Sequence, residues 1–271
     1  DMKKRTAFIG AILSLIPLGQ TVFLKTGFGL STAGIMFFFP EKVNSESNDF
    51  YFNRAYEKGK KGDYYGAISD YTKAIDLNPN DGDAYFNRAW NKGELKDHYG
   101  AISDYTKAIE INPNDSQAYY NRGIAKRNLE DFYGAIFDYT KAIEINPKND
   151  QAYHNRGVAK EYLKDYEGAL KDYEKAISID PDDYLAWSGV GNMKSKLEDY
   201  YGAISALNKA IDINPQYSKA YNNRGIAKLD IGDEKGGCDD FKKAISLGNK
   251  ETEKWFNTEG AAWCRDMYIS L

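Results

Sequence analysis

A period of 34 residues governs this chain: Pro79, Pro113, Pro147, Pro181 and Pro215 stand one period apart, as do Ala67, Ala101, Ala135, Ala169 and Ala203. Self-similarity at a fixed interval in this range marks stacked repeats, in which each unit touches only its neighbours. Such a chain lengthens by adding units and not by enlarging one core. The usual inference of one or two globular domains from 271 residues therefore gives way. Function has to be sought on a repeated surface.

Six units can be counted, 48–81, 82–115, 116–149, 150–183, 184–217 and 218–251. In the third, Ala118, Tyr119, Gly123, Ile124 and Leu129 follow helical spacing until Glu130-Asp131 interrupts the face. Tyr133, Ala135, Ile136, Tyr139, Ala142 and Ile143 resume it on a second helix, and Asn146-Pro147 stops that one. Each unit is a helix pair that cannot bury its apolar faces alone, and stacking closes the core.

The marks recur together. An aromatic opens the first helix (Tyr51, Tyr85, Tyr119, Tyr153, Trp187, Tyr221), and a small residue follows four later (Ala55, Ala89, Gly123, Gly157, Gly191, Gly225). The second helix carries Ala, then an aromatic (Tyr71, Tyr105, Tyr139, Tyr173, Phe241), another Ala, and the loop Pro. This pattern resembles the tetratricopeptide repeat family over about three quarters of the chain. The resemblance implies an all-α fold, a right-handed α-solenoid of six stacked helix pairs. Gly123 and Ala135 then read as small residues that let the paired backbones approach. Two departures stand out. Lys occupies an expected aromatic place late in the first helix (Lys58, Lys92, Lys126, Lys160, Lys194, Lys228), and the sixth unit loses its Pro to Asn249 and an Ala to Gly237.

Charge and motifs exclude several classes. The formal charge is −4, from 36 Lys plus Arg against 40 Asp plus Glu, with no block of one sign and hence no nucleic-acid footprint. Two His and two Cys fall short of the common metal patterns, and no phosphate loop or nucleophile elbow occurs. No enzyme activity, metal or cofactor is expected.

Ahead of the repeats, Lys3, Lys4 and Arg5 lead into apolar runs across residues 7–39, broken by Pro17 and carrying Lys25. A positive start before an apolar stretch reads as a secretory signal peptide, with Val43-Asn44-Ser45 as an imperfect cleavage site. The same run is long enough for one tilted membrane anchor, and the third reading is a buried cap on the solenoid. Residues 1–40 are therefore taken as a signal peptide or membrane anchor and 41–47 as a polar linker. The positive-inside rule then places the repeats on the extracytoplasmic side of a membrane.

Arg54, Arg88, Arg122, Arg156 and Arg224 share one repeat position on the first helix, and Asp70, Asp104, Asp138, Asp172 and Asp240 share another on the second. Both vanish in the fifth unit, where Val190 and Ala206 stand. Pairing between neighbouring units would orphan Asp172 and Arg224, whereas pairing within a unit orphans nothing. Five bidentate salt bridges inside the repeats are expected, Arg122 to Asp138 among them. The alternative is an anion-binding Arg stripe.

The family resemblance implies a concave face lined by the first helices. Phe52, Phe86, Tyr120, His154, Ser188 and Asn222 would point there, followed one turn on by Tyr56, Trp90, Ile124, Val158, Asn192 and Ile226. The face runs from aromatic to polar along the chain. Asn53, Asn87, Asn121, Asn155 and Asn223 form a ladder beside it, broken at Gly189, and an amide that donates and accepts at once suits a peptide backbone. The competing reading is that these amides satisfy their own helices. An exposed aromatic patch remains the stronger mark of a partner.

Residues 252–271 read as an amphipathic capping helix, with Trp255 in the opening aromatic place and Trp263 as a second large apolar group. Antiparallel stacking would set Cys238, early in a second helix, beside Cys264, late in the cap. A disulfide is expected if the chain is exported, and two buried thiols if it is not. Two functions compete. One is a non-catalytic scaffold that binds an extended peptide or protein segment in the groove and aids complex assembly at a membrane. The other is a structural spacer that self-associates.

Overall fold

The computed structural model describes residues 47–266. The signal-or-anchor reading of 1–40, most of the linker, and residues 267–271 lie outside them. Among the described residues every regular element is helical, and no helix is long and apolar enough to cross a membrane.

The six pairs are α1 (Asn48–Lys60) with α2 (Tyr64–Leu77), α3 (Gly82–Glu94) with α4 (His98–Ile111), and α5 (Ser116–Asn128) with α6 (Phe132–Ile145). They continue with α7 (Asp150–Tyr162) and α8 (Tyr166–Ile179), α9 (Tyr184–Lys196) and α10 (Tyr200–Ile213), and α11 (Ser218–Asp230) and α12 (Glu234–Ser246). Each second helix starts from an Asp whose carboxylate accepts from the backbone N–H three residues on, as Asp131 does from Gly134 at 2.9 Å. Glycine is needed there because a Cβ would stand 2.1 Å from Asp131 Oδ2. The Asp-x-x-Gly spacing thus starts a helix at Asp63, Asp97, Asp131, Asp165, Asp199 and Asp233 alike.

The core is built largely from Ala and from one large side chain on each second helix, a ring in five pairs and Leu207 in the fifth pair. Ala135, Ala142 and Tyr139 are wholly buried. The small residue at Gly123 does not bring two backbones together in this unit. Its missing Cβ is replaced by the Tyr139 ring, whose Cε1 would lie 2.7 Å from that Cβ. Direct backbone approach occurs in the sixth unit, where a Cβ on Gly225 would lie 3.0 Å from the Gly237 carbonyl oxygen.

Arg122 donates through Nε and Nη2 to the two oxygens of Asp138, at 2.9 and 2.7 Å, within its own unit. The same geometry joins Arg54 to Asp70, Arg88 to Asp104, Arg156 to Asp172 and Arg224 to Asp240. Two further partners explain residues the sequence left unassigned. Lys126 Nζ lies 2.8 Å from Asp138 Oδ2, so the Lys in the expected aromatic place is a second cation on the buried carboxylate. Arg122 Nη1 reaches back to Thr106 of the preceding unit at 3.0 Å, and its guanidinium lies 5.5 Å from the Tyr119 ring centre. One guanidinium therefore ties three helices. In the fifth unit Val190 and Ala206 are buried and apolar, and Lys194 turns to Asp199 instead.

The cap departs from the single helix expected over 252–271. It consists of α13 (Lys250–Phe256), a short 3-10 turn (Glu259–Ala261) and α14 (Ala262–Asp266). Asn257 and Thr258 break it, and Arg265 Nη1 donates to the carbonyls of Phe256 and Thr258 exposed by the break. The register also differs. Without the Asn-Pro loop, the chain turns after α12 at Gly248 in the left-handed region (φ 83°), and Asn249 donates back to the Ala244 carbonyl at 3.0 Å. Asn249 then caps α13 two residues earlier than the period requires. Thr252, and not Ala, fills the buried place three after the cap, and Trp255 lands where the Asn ladder runs. Cys238 and Cys264, both buried, are joined in a disulfide with α-carbons 5.7 Å apart.

The Arg54 guanidinium, helped by Lys58, holds the Asp70 carboxyl at about 2 against the desolvation of burial. A depressed carboxylate stabilises the fold fully above its unfolded value, about 3.9. Stability from Asp70 should therefore drain away between about pH 4 and pH 2 in an acid titration, and an Asp70→Asn chain should lack that component. Asp138→Ala should cost about 3–5 kcal/mol in urea unfolding, because it leaves a desolvated guanidinium. The double change Arg122→Val with Asp138→Ala, which copies the fifth unit, should cost clearly less than Asp138→Ala alone. Reducing the disulfide, which closes a loop of 26 residues, should remove about 3.5 kcal/mol of chain-entropy stabilisation from the last unit and cap. Hydrogen exchange should then quicken in α11 to α14 and stay unchanged in α1 to α6.

Candidate functional site

Successive first helices touch one another along the stack, α1 with α3, α3 with α5, and on to α9 with α11. No comparable contact joins successive second helices. The first helices therefore form the inner side, and clefts open between each and the next.

Phe52, Phe86, Tyr120 and His154 lie on that side, each against the aromatic of its own second helix. Ring centres are 5.4 Å apart for Phe52 with Tyr71, Phe86 with Tyr105 and His154 with Tyr173, and 5.9 Å for Tyr120 with Tyr139. These rings are half-buried and make the floor. The row one turn on stands prouder: Tyr56 is 48% exposed and Trp90 40%. Ile124 and Val158 are half-buried, Ile226 is exposed, and Asn192 donates to Glu161 at 2.7 Å. Ser188 is buried.

The Asn ladder is largely engaged within the protein. Asn87 and Asn121 donate to carbonyls of their own helices, at Asp83 and Gln117. Asn155 donates to the Tyr120 hydroxyl at 2.8 Å and accepts from Arg127 at 2.5 Å, and Asn223 accepts from Asn222 at 3.3 Å. Asn53 is exposed. The break at Gly189 is steric, since a Cβ there would lie 2.8 Å from the Tyr173 ring.

Two clefts differ in character. Between α1 and α3, one of about 320 Å³ is walled by Tyr56, Tyr71, Phe86 and Trp90, with Gly59, Lys60, Asn87 and Asn91 completing it. Between α7 and α9, one of about 490 Å³ is acidic, lined by Asp150, Asp180, Asp182 and Asp183 beside Tyr120 and His154. There His154 Nδ1 lies 3.5 Å from Asp183 Oδ2. Burial pushes the Asp183 carboxyl up, but His154 and the backbone N–H groups of Ala186 and Leu185 outweigh it and hold it below the usual range. A third, mainly apolar cleft of about 350 Å³ lies against the cap, bounded by Ile226, Leu229, Phe241 and Trp255.

The groove thus holds three residues that periodicity did not single out: Arg127, Glu161 and Asn91. Asn91 had a readable signal, because units three, four and six carry Ala125, Ala159 and Ala227 in its place. The paired Arg and Asp residues lie away from these clefts and are committed to one another, which leaves no anion-binding stripe.

Two profiles of the tetratricopeptide repeat match the chain, one over 49–81, 116–149 and 151–183, the other over 82–115 and 185–217. The chain belongs to the tetratricopeptide repeat family. Its sixth unit, which lost the Pro and an Ala, lies outside the matched stretches. Among solved structures, MamA is 25% identical with a TM-score of 0.60, over 64% of this chain and 95% of that one. YrrB, described as a tetratricopeptide repeat protein with an unusual peptide-binding site, is 22% identical with a TM-score of 0.59, over 66% and 92%. PilF of Pseudomonas aeruginosa is 15% identical with a TM-score of 0.64, over 82% and 98%. No curated protein matches the chain by sequence.

Proposed function

We propose that this chain is a non-catalytic scaffold whose inner face holds an extended segment of a partner protein, anchored by apolar side chains in the cleft between α1 and α3. The observation that carries this reading is the exposure of Tyr56 and Trp90 across an otherwise aromatic cleft, in a chain whose mean hydropathy is −0.65. Large apolar groups held together and left to water are the usual mark of a docking surface. YrrB shows that the same fold can carry a peptide-binding site. The acidic cleft further along would favour segments with basic residues downstream of the anchor. Tethering to, or export across, a membrane rests on the apolar run at 7–39. The buried disulfide supports an oxidising, extracytoplasmic compartment.

A second reading, self-association as a spacer, has its own observation. Tyr65, Tyr99, Tyr133 and Tyr201 share one repeat position near the start of the second helices, where the fourth unit carries Glu167, and are between 74% and 77% exposed, on elements away from the groove. Photo-crosslinkers placed at Trp90 and at Tyr133 of the chain in its native membrane separate the two. Adducts to a different protein from Trp90 support the scaffold, and adducts solely between copies through Tyr133 overturn it. Changing Phe52, Phe86 and Trp90 to Ala should keep the helical circular dichroism while weakening partner capture roughly ten-fold or more. Collapse of helicity in that variant would reassign these side chains to the core.

A further inference from the structure

Asn91 on α3 is 2% exposed. Its Nδ2 donates to the Asn87 carbonyl at 2.7 Å, but no donor among the described residues reaches its Oδ1. A buried carbonyl without a donor is costly, and native proteins rarely leave one unanswered. Nothing in the repeat requires the amide, since Ala serves at this position in three sister units, Met193 in a fourth, and an exposed Glu57 in the first. Opposite it stands Gly59, where a Cβ would lie 2.9 Å from Asn91 Oδ1. Asn91 and Gly59 both line the aromatic cleft between α1 and α3. A local choice that breaks the repeat's own rule at a cleft points to a ligand and not to folding.

The chemistry of the cleft narrows what fills it. Its walls take a planar apolar body. Asn91 Nδ2 and Asn87 Nδ2 each spend one N–H inside α3, on the carbonyls of Asn87 and Asp83, and the Lys60 ammonium lies over the Tyr56 ring, so the one buried polar atom of the cleft left with no partner among the described residues is an acceptor. A phenol brings an oxygen that also seeks a donor, and a phenyl or aliphatic group brings no donor. An indole presents one N–H and accepts nothing. We propose that this cleft is a pocket for a tryptophan side chain of the partner segment, its indole N–H donated to Asn91 Oδ1. The proposal rests on the inner face being the binding surface and adds the side chain that it selects.

The test uses the full chain, isotope-labelled and followed by NMR at the Gly59 amide and the Trp90 indole. The probes are N-acetyltryptophanamide, its 1-methylindole analogue and N-acetylleucinamide. The unmethylated indole should shift both signals and bind about ten-fold more tightly than the methylated one, the worth of one buried hydrogen bond. In Asn91→Ala the two should bind alike, and that chain should unfold at an equal or higher temperature because it removes the unanswered carbonyl. Equal binding of both indoles to the unaltered chain overturns the proposal, as does binding confined to the cleft beside Trp255. If leucine or methylated probes still shift Gly59 and Trp90 in that case, the groove reading stands without it. If no probe shifts any signal between α1 and α3, both fall together.

Discussion

The buried carboxylate of the second helix is the constraint from which the rest of this stack follows. Asp138 is wholly enclosed, and a charge in that position is tolerable only with partners on every side. Arg122 supplies a fork, Lys126 a second cation, Tyr119 a ring beneath the fork, and Thr106 an acceptor from the unit before. Those demands fix the angle of the helix pair and the step to its neighbour in a single cluster. An Ala-lined core could not do so alone, because small apolar surfaces slide past one another at little cost. The clefts of the inner face are spaced regularly because this cluster repeats.

Much of this could be read from the chain because repetition turns one sequence into six trials of the same position. The helix pairs, their boundaries and the partner of each Arg came from comparing units, and the joint loss at Val190 and Ala206 chose between two pairings. The role of the lysines was hidden for the opposite reason. Lys194 persists in the fifth unit although its carboxylate is gone, so it does not covary with the Asp and looks like a solvated charge. The cap was misread because its register is set by a backbone turn at Gly248 and not by spacing. A two-residue slip moved Trp255 from an opening position into the groove. Asn91 was overlooked because a pattern search rewards what recurs.

The inner face combines two kinds of position that behave differently under substitution. Floor rings such as Phe86 are braced against the second helix and serve both packing and the groove. Proud residues such as Tyr56 and Trp90 are held by little except each other's neighbourhood, with Tyr64 edge-on to Trp90 at 6.0 Å. The aromatic half of the face is therefore preformed at its base and adjustable at its rim. That is a sound arrangement for recognising an extended segment, whose own ordering on binding is the main cost to be overcome.

The reach of each guanidinium into the unit before it has a mechanical side. Arg88, Arg122, Arg156 and Arg224 each latch onto the preceding second helix, through Thr72, Thr106, Thr140 and Asn208. Val190 has nothing to latch with, so the joint between the fourth and fifth units is held by an oily seam, by the Asn192–Glu161 bond and by the Trp187 indole, which donates to the Pro181 carbonyl at 2.9 Å. In a one-dimensional array each joint contributes separately, and an array yields where a joint differs. Tension along this chain would divide it into a run of four units carrying the aromatic end and a run of two held shut by the disulfide.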